Sequence, residues 1–201
     1  MPPLRSAATR AWGPRDAQPG ARARAATGPI TFATQPDDAS CVAYRPTRGG
    51  VAVAVPKAID LALACPSMPP VVLPSGDGFV YLTGHELRFW TQSPDPDRRL
   101  VLFDVKDDDQ DFAVSLPVWS PDGTKLALVS KASSYPAKTR LFVLTISAAG
   151  AVTAKTKHDV AVFSPCGSVC VPQPPTWKDG ATVEVTTDGG GAPGAPRAFK
   201  L

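Results

Sequence analysis

From residue 30 onward, short runs of alternating apolar and polar residues are broken every few positions by Pro, Gly or Asp. That is the pattern of β-strands joined by tight turns. The clearest stretch runs from Val118 to Val152. Val118 and Trp119 end one strand, and Ser120-Pro121-Asp122-Gly123 is a turn in which Pro fixes φ and Gly accepts a positive φ. Lys125 to Lys131 then alternates, with Leu126 and Leu128 on one face. Leu141, Val143 and Thr145 alternate against Phe142, Leu144 and Ile146. A short fourth strand is predicted over Ala151 to Thr156, after Ala148-Ala149-Gly150.

The unit recurs. Ser75, Ser120 and Ser164 stand 45 and 44 positions apart, each at the head of a Gly-containing turn. A period in the low forties belongs to propeller blades. Upstream, Phe79 to Leu82 and Arg99 to Val105 parallel the later strands; downstream, Phe163 to Val171 parallels the turn and a strand. A degenerate first copy is expected over Ile30–Ala33, Cys41–Tyr44, Gly50–Val55 and Ala58–Ala64. The expected fold is all-β: a small or partial β-propeller of three to four four-stranded blades, over about 30–70, 71–116, 117–157 and 158–201, behind a disordered tail at 1–29.

Trp119-Ser120-Pro121-Asp122-Gly123 and the strand from Arg140 to Ile146 resemble the TolB-like propeller repeat, a relative of the WD40-type blade. Residues 163–171 match with Cys166 in place of Asp, and residues 74–105 match in the Asp-Gly turn and two strands. The resemblance implies a propeller. It does not single out an activity, because propellers host many functions.

Charge is unevenly placed. Arg5, Arg10, Arg15, Arg22 and Arg24 face Asp16 alone within the Ala/Pro/Gly-rich first 30 residues, whereas the whole chain carries only +3. The remainder is nearly neutral and lacks the basic stripe that phosphate backbones select, so no nucleic-acid partner is expected. No run approaches the ~18 apolar residues of a membrane span. The start has no apolar core of a secretory signal. The four cysteines, Cys41, Cys65, Cys166 and Cys170, form an even set. Two disulfides in an oxidising compartment and four free thiols are both open readings, and the pairing is not fixed by spacing. A periplasmic or secreted location follows from the first reading and a cytoplasmic one from the second.

Chemistry is sparse. No G-x-S-x-G elbow is present, and the two histidines, His85 and His158, have no local nucleophile pattern around them. His158, Cys166 and Cys170 match no common zinc spacing. The acidic run Asp107-Asp108-Asp109-Gln110-Asp111 lacks the Gly and final Glu of an EF-hand loop and reads as a solvated turn. No catalytic residue, cofactor or metal is assigned.

Binding is the expected role. Gly84 to Arg98 is longer than a hairpin needs, and Pro172 to Gly180 is Pro-rich, so His85, Arg88, Trp90 and Trp177 are the expected contact residues for a protein or peptide. A carbohydrate- or peptide-processing propeller enzyme, or its remnant, and a truncated propeller without activity are the alternatives. If the first copy formed no blade, an open arc would expose apolar faces and drive two chains to complete one ring.

Overall fold

The computed structural model describes residues 26–37, 41–66, 68–83, 86–92, 97–101, 112–132, 137–147, 151–163, 172–189 and 192–201. Residues 1–25 of the tail expected at 1–29, and also His85, Cys166 and Cys170, lie outside them. The described chain is all-β with one short helix, and its strands form four antiparallel sheets in chain order. The first sheet is β1 (Ile30–Asp37), β2 (Cys41–Arg48) and β3 (Val51–Ala52), followed by helix α1 (Lys57–Ala64). The second is β4 (Val71–Val72), β5 (Gly78–Thr83), β6 (Glu86–Thr91) and β7 (Asp97–Val101). The third holds β8 (Phe112–Val114), β9 (Val118–Trp119), β10 (Lys125–Ala132), β11 (Ala137–Ile146) and β12 (Val152–Phe163). The fourth is β13 (Thr176–Trp177), β14 (Thr182–Gly189) and β15 (Ala192–Lys200).

β8 and β9 both pair with β10 and act as one edge strand broken at residues 115–117. Pro117 cannot donate to a ladder. Ser115 closes the gap: its N–H donates to Val129 O at 2.8 Å, and its hydroxyl accepts the Val129 N–H at 2.9 Å.

The sheets stack through three apolar cores, each shared by neighbours in sequence. Ile30 with α1 residues Ile59 and Leu63 packs on Phe79, Tyr81 and Trp90 of the second sheet. The opposite face of that sheet, with Val80, Leu82, Leu87 and Phe89, meets Leu126, Leu128, Phe142 and Leu144 of the third. Ala127, Val129, Leu141 and Val143 then meet Val183, Val185 and Phe199 of the fourth. Both faces of β5, β10 and β11 are therefore buried, which is why these strands read as near-continuous apolar runs. The two ends of the stack are polar. Thr31, Gln35, Arg45 and Thr47 share the outer face of the first sheet, where the Thr31 and Thr47 hydroxyls bond at 2.9 Å. Thr182, Glu184, Thr186 and Lys200 share that of the fourth, where Lys178 pairs with Glu184 at 2.9 Å.

Equivalent turns also stack along one edge. Gly76 N donates to Leu73 O at 2.8 Å and Gly123 N to Ser120 O at 2.8 Å, so Gly76 is the counterpart of Gly123. Both have positive φ, +73° and +69°. The serine-based alignment of Ser75 with Ser120 is thus two residues out of register, because the turn geometry follows Pro-x-Gly and not the hydroxyl. A Cβ on Gly123 would stand 2.9 Å from Pro74 Cβ, and one on Gly76 would stand 2.9 Å from Pro29 Cβ. Lys125 Nζ donates to Gly180 O at 2.7 Å, extending the row of turns to the fourth sheet.

Two sequence expectations change. The strand expected at Ala58–Ala64 is α1: Pro56 precedes it, Ala and Leu dominate it, and Ile59 and Leu63 fall one turn apart on its buried side. The long insert expected at Gly84–Arg98 is mostly ladder, because Glu86–Thr91 is β6 and pairs with both β5 and β7. The last turn, expected at Ser164–Gly167, lies outside the described residues; within the fourth sheet, Lys178 N donates to Thr182 O at 3.0 Å where the chain turns from β13 into β14.

Candidate functional site: a charged cleft beside helix α1

After β3 the chain runs extended through Val53 to Pro56, held to β2 by Val53 N donating to Pro46 O at 2.9 Å. Pro56, with φ −55°, then starts α1, and Asp60 sits in the first turn, where a carboxylate suits the helix dipole. Ile59 and Leu63 bury the helix against the second sheet. A disulfide joins Cys41, at the start of β2, to Cys65, next after the last residue of α1, with the Cα atoms 5.5 Å apart.

This arrangement leaves a cleft between β2, the extended segment and α1. Its larger part, of about 380 Å³, is walled by Pro46, Val53 and Val55 and carries Arg45, Lys57 and Asp60. Its smaller part, of about 120 Å³, adds Gln35, Tyr44 and Leu63 and shares Arg45 and Asp60. Arg45 Nε donates to Gln35 Oε1 at 3.2 Å, an exposed bond between β2 and β1 that ties down the guanidinium. Among the described residues, no hydrogen bond or ion pair engages the Asp60 carboxylate. Residues of both signs beside Pro46, Val53 and Val55 suit a peptide segment, with Arg45 and Lys57 available to carboxylates.

The residues expected to make contacts are placed differently. Trp90 is 3% exposed and lies in the first core, its ring 5.1 Å from that of Phe79. An indole at that depth has no surface for a partner. Arg88 is half-buried and its Nη2 donates to Glu86 Oε2 at 2.8 Å within the same strand. Trp177 is not a loop residue: it belongs to β13, packs on the third core, and donates its indole N–H to Val118 O at 3.0 Å. Trp119 does the same toward Val72 O at 3.0 Å. The repeat motif therefore joins sheets. Ser120 Oγ donates to Asp122 Oδ1 at 2.6 Å, and Thr124 N donates to the same oxygen at 3.1 Å. These bonds to the ionised form hold the Asp122 carboxyl down to about 2. The Ala181 N–H, at 2.7 Å, similarly lowers Asp179. Among the described residues, no group of three His, Cys, Asp or Glu side chains is placed to hold a metal.

Sequence reading passed over Arg45, Lys57 and Asp60. The signal available was Pro56 followed by Ile59 and Leu63 at helical spacing, which would have put Asp60 on a helix beside the strand carrying Arg45. No family model matches this chain, and no curated protein or solved structure matches it either.

Proposed function

We propose that this chain is a non-enzymatic binding module of the TolB-like propeller type, and that it holds a peptide segment in the cleft beside α1. The observation that carries the reading is the shared lining of that cleft: Arg45, tied to Gln35, and Asp60 border both of its parts, and Lys57, Pro46, Val53 and Val55 complete the larger one. Four sheets stacked in chain order, with equivalent Trp-to-carbonyl bonds between consecutive inner strands, support reading them as blades. The Cys41–Cys65 bridge supports an oxidising compartment, periplasmic or extracellular. The polar end faces favour a monomer over two chains completing one ring.

The test is calorimetric titration of the full chain with two capped tetrapeptides, one alternating Glu and Leu and one alternating Lys and Leu. The acidic peptide should bind, and Arg45→Ala with Lys57→Ala should weaken it at least tenfold. Equal binding of both peptides, or of neither, removes the cleft as the site.

A further inference from the structure

We propose that the Cys41–Cys65 bridge is a thiol–disulfide exchange site whose opening releases α1 and so dismantles the cleft. The functional side of this rests on the peptide-binding reading above; the structural side does not.

The bridge has a particular place in the fold. Cys41 begins β2, one wall of the cleft, and Cys65 directly follows α1, the other wall. The two are 24 positions apart, and every residue lining the larger part of the cleft, from Arg45 to Asp60, lies between them. One covalent link therefore closes the segment that makes the larger part of the site. The helix it restrains is short, and isolated helices of this length are not stable in water. Its N-cap residue, Pro56, makes no side-chain cap, its last turn carries no basic residue, and Leu61 is 66% exposed. What holds it is the burial of Ile59 and Leu63 together with the bridge at its end. Cys65 is exposed while Cys41 is half-buried, so the Cys65 side of the bridge is the more open to an incoming thiolate.

The step balances with a dithiol of the thioredoxin class as reductant. Its thiolate attacks Cys65 Sγ, the Sγ–Sγ bond breaks, and Cys41 leaves as a thiolate that takes up a proton. The reductant's second thiolate then attacks the mixed disulfide and frees Cys65, also protonated. The reductant ends as a disulfide, having given two electrons and two protons to the chain.

The experiment uses the full chain, oxidised or treated with dithiothreitol under native conditions. Peptide mapping by mass spectrometry reports the state of the 41–65 bridge separately from Cys166 and Cys170. Hydrogen exchange of the amides from Ile59 to Ala64 should accelerate at least tenfold on reduction, while those of β10 and β11 stay protected. Cys41→Ser with Cys65→Ser should exchange like the reduced chain and ignore dithiothreitol. Affinity for the acidic tetrapeptide should fall at least tenfold in both. A bridge that stays closed under native reduction, or one that opens with α1 amides unchanged, overturns the proposal. Faster α1 exchange in a chain that never bound the peptide leaves the latch standing and removes the binding reading instead.

Discussion

The indole N–H of Trp177 and the main-chain carbonyl of Val118 are 3.0 Å apart, and the same bond, at the same length, joins Trp119 to Val72. Each is a side chain of one sheet's inner strand reaching the backbone of the preceding sheet's. The polar bond adds direction to packing that apolar contact alone would leave free to slide. Trp119→Phe keeps most of the ring and removes the donor, and should cost about 1–2 kcal/mol because the Val72 carbonyl loses its partner. Trp119→Ala should cost about 3 kcal/mol through the cavity it leaves. Urea denaturation of the two variants beside wild type measures both. Equal losses would mean that the N–H contributes nothing.

Gly123 is required twice over, by its φ of +69° and by Pro74 of the neighbouring sheet at 2.9 Å from any added Cβ. Gly123→Val should therefore destabilise by about 2–3 kcal/mol. Gly50 also has a positive φ, +80°, but nothing lies within 4 Å of an added Cβ there. Gly50→Ala should cost about 1 kcal/mol, from backbone strain alone. The ratio of the two losses, read from urea midpoints, separates strain from the inter-sheet contact.

The Asp122 carboxyl titrates at about 2 in the folded chain against an ordinary value of 3.8. A depressed folded value means that its contribution is whole above pH 4 and is lost as pH falls from about 4 toward 2. Asp122→Asn keeps an oxygen to accept from Thr124 N–H but cannot ionise. The variant should show a shallower fall in thermal midpoint between pH 4 and pH 2.5 than wild type. Parallel curves would show that Asp122 does not contribute to acid sensitivity.

Removing the bridge between Cys41 and Cys65, which closes a loop of 24 positions, should destabilise the chain by about 3 kcal/mol if the loss is mainly the regained freedom of the unfolded state. The double Ser variant in urea, compared with oxidised wild type, measures it. A loss below about 1 kcal/mol would place the bridge's effect in α1 alone.

Light scattering should find a single species near 21.0 kDa. The outer faces of the first and fourth sheets carry Thr31, Arg45 and Thr47 at one end and Thr182, Glu184 and Lys200 at the other, with only the small apolar residues Ala33, Pro196 and Ala198 among them, which is too little for a stable second-copy interface. A species of twice that mass would require an interface elsewhere.

The all-β character and the strands around Trp119 were legible because they rest on local chemistry. Val118 to Ile146 alternates cleanly around one Pro-Asp-Gly turn, and its strands fall where the pattern puts them. Register between copies was less legible: Ser75 resembles Ser120 in type, but backbone hydrogen bonds align Leu73 with Ser120. The Trp residues were misread for a related reason. Trp90 and Trp177 flank loop-like stretches in the sequence, and only the stacking of separate sheets buries the one and hydrogen-bonds the other. The cleft was illegible because Arg45 and Asp60 are brought to one place by a helix hidden in an alternating Ala/Leu run and by a bridge whose pairing spacing does not fix.

The three cores join sheets one to two, two to three and three to four, in that order. A mechanical load applied at the two ends of the described chain would therefore pass through these cores in series. The chain should lengthen in steps, each the release of one sheet. The fourth sheet, held mainly by Val183, Val185, Phe199 and Trp177, should peel first, while the first keeps a covalent tether between its second strand and the helix that anchors it.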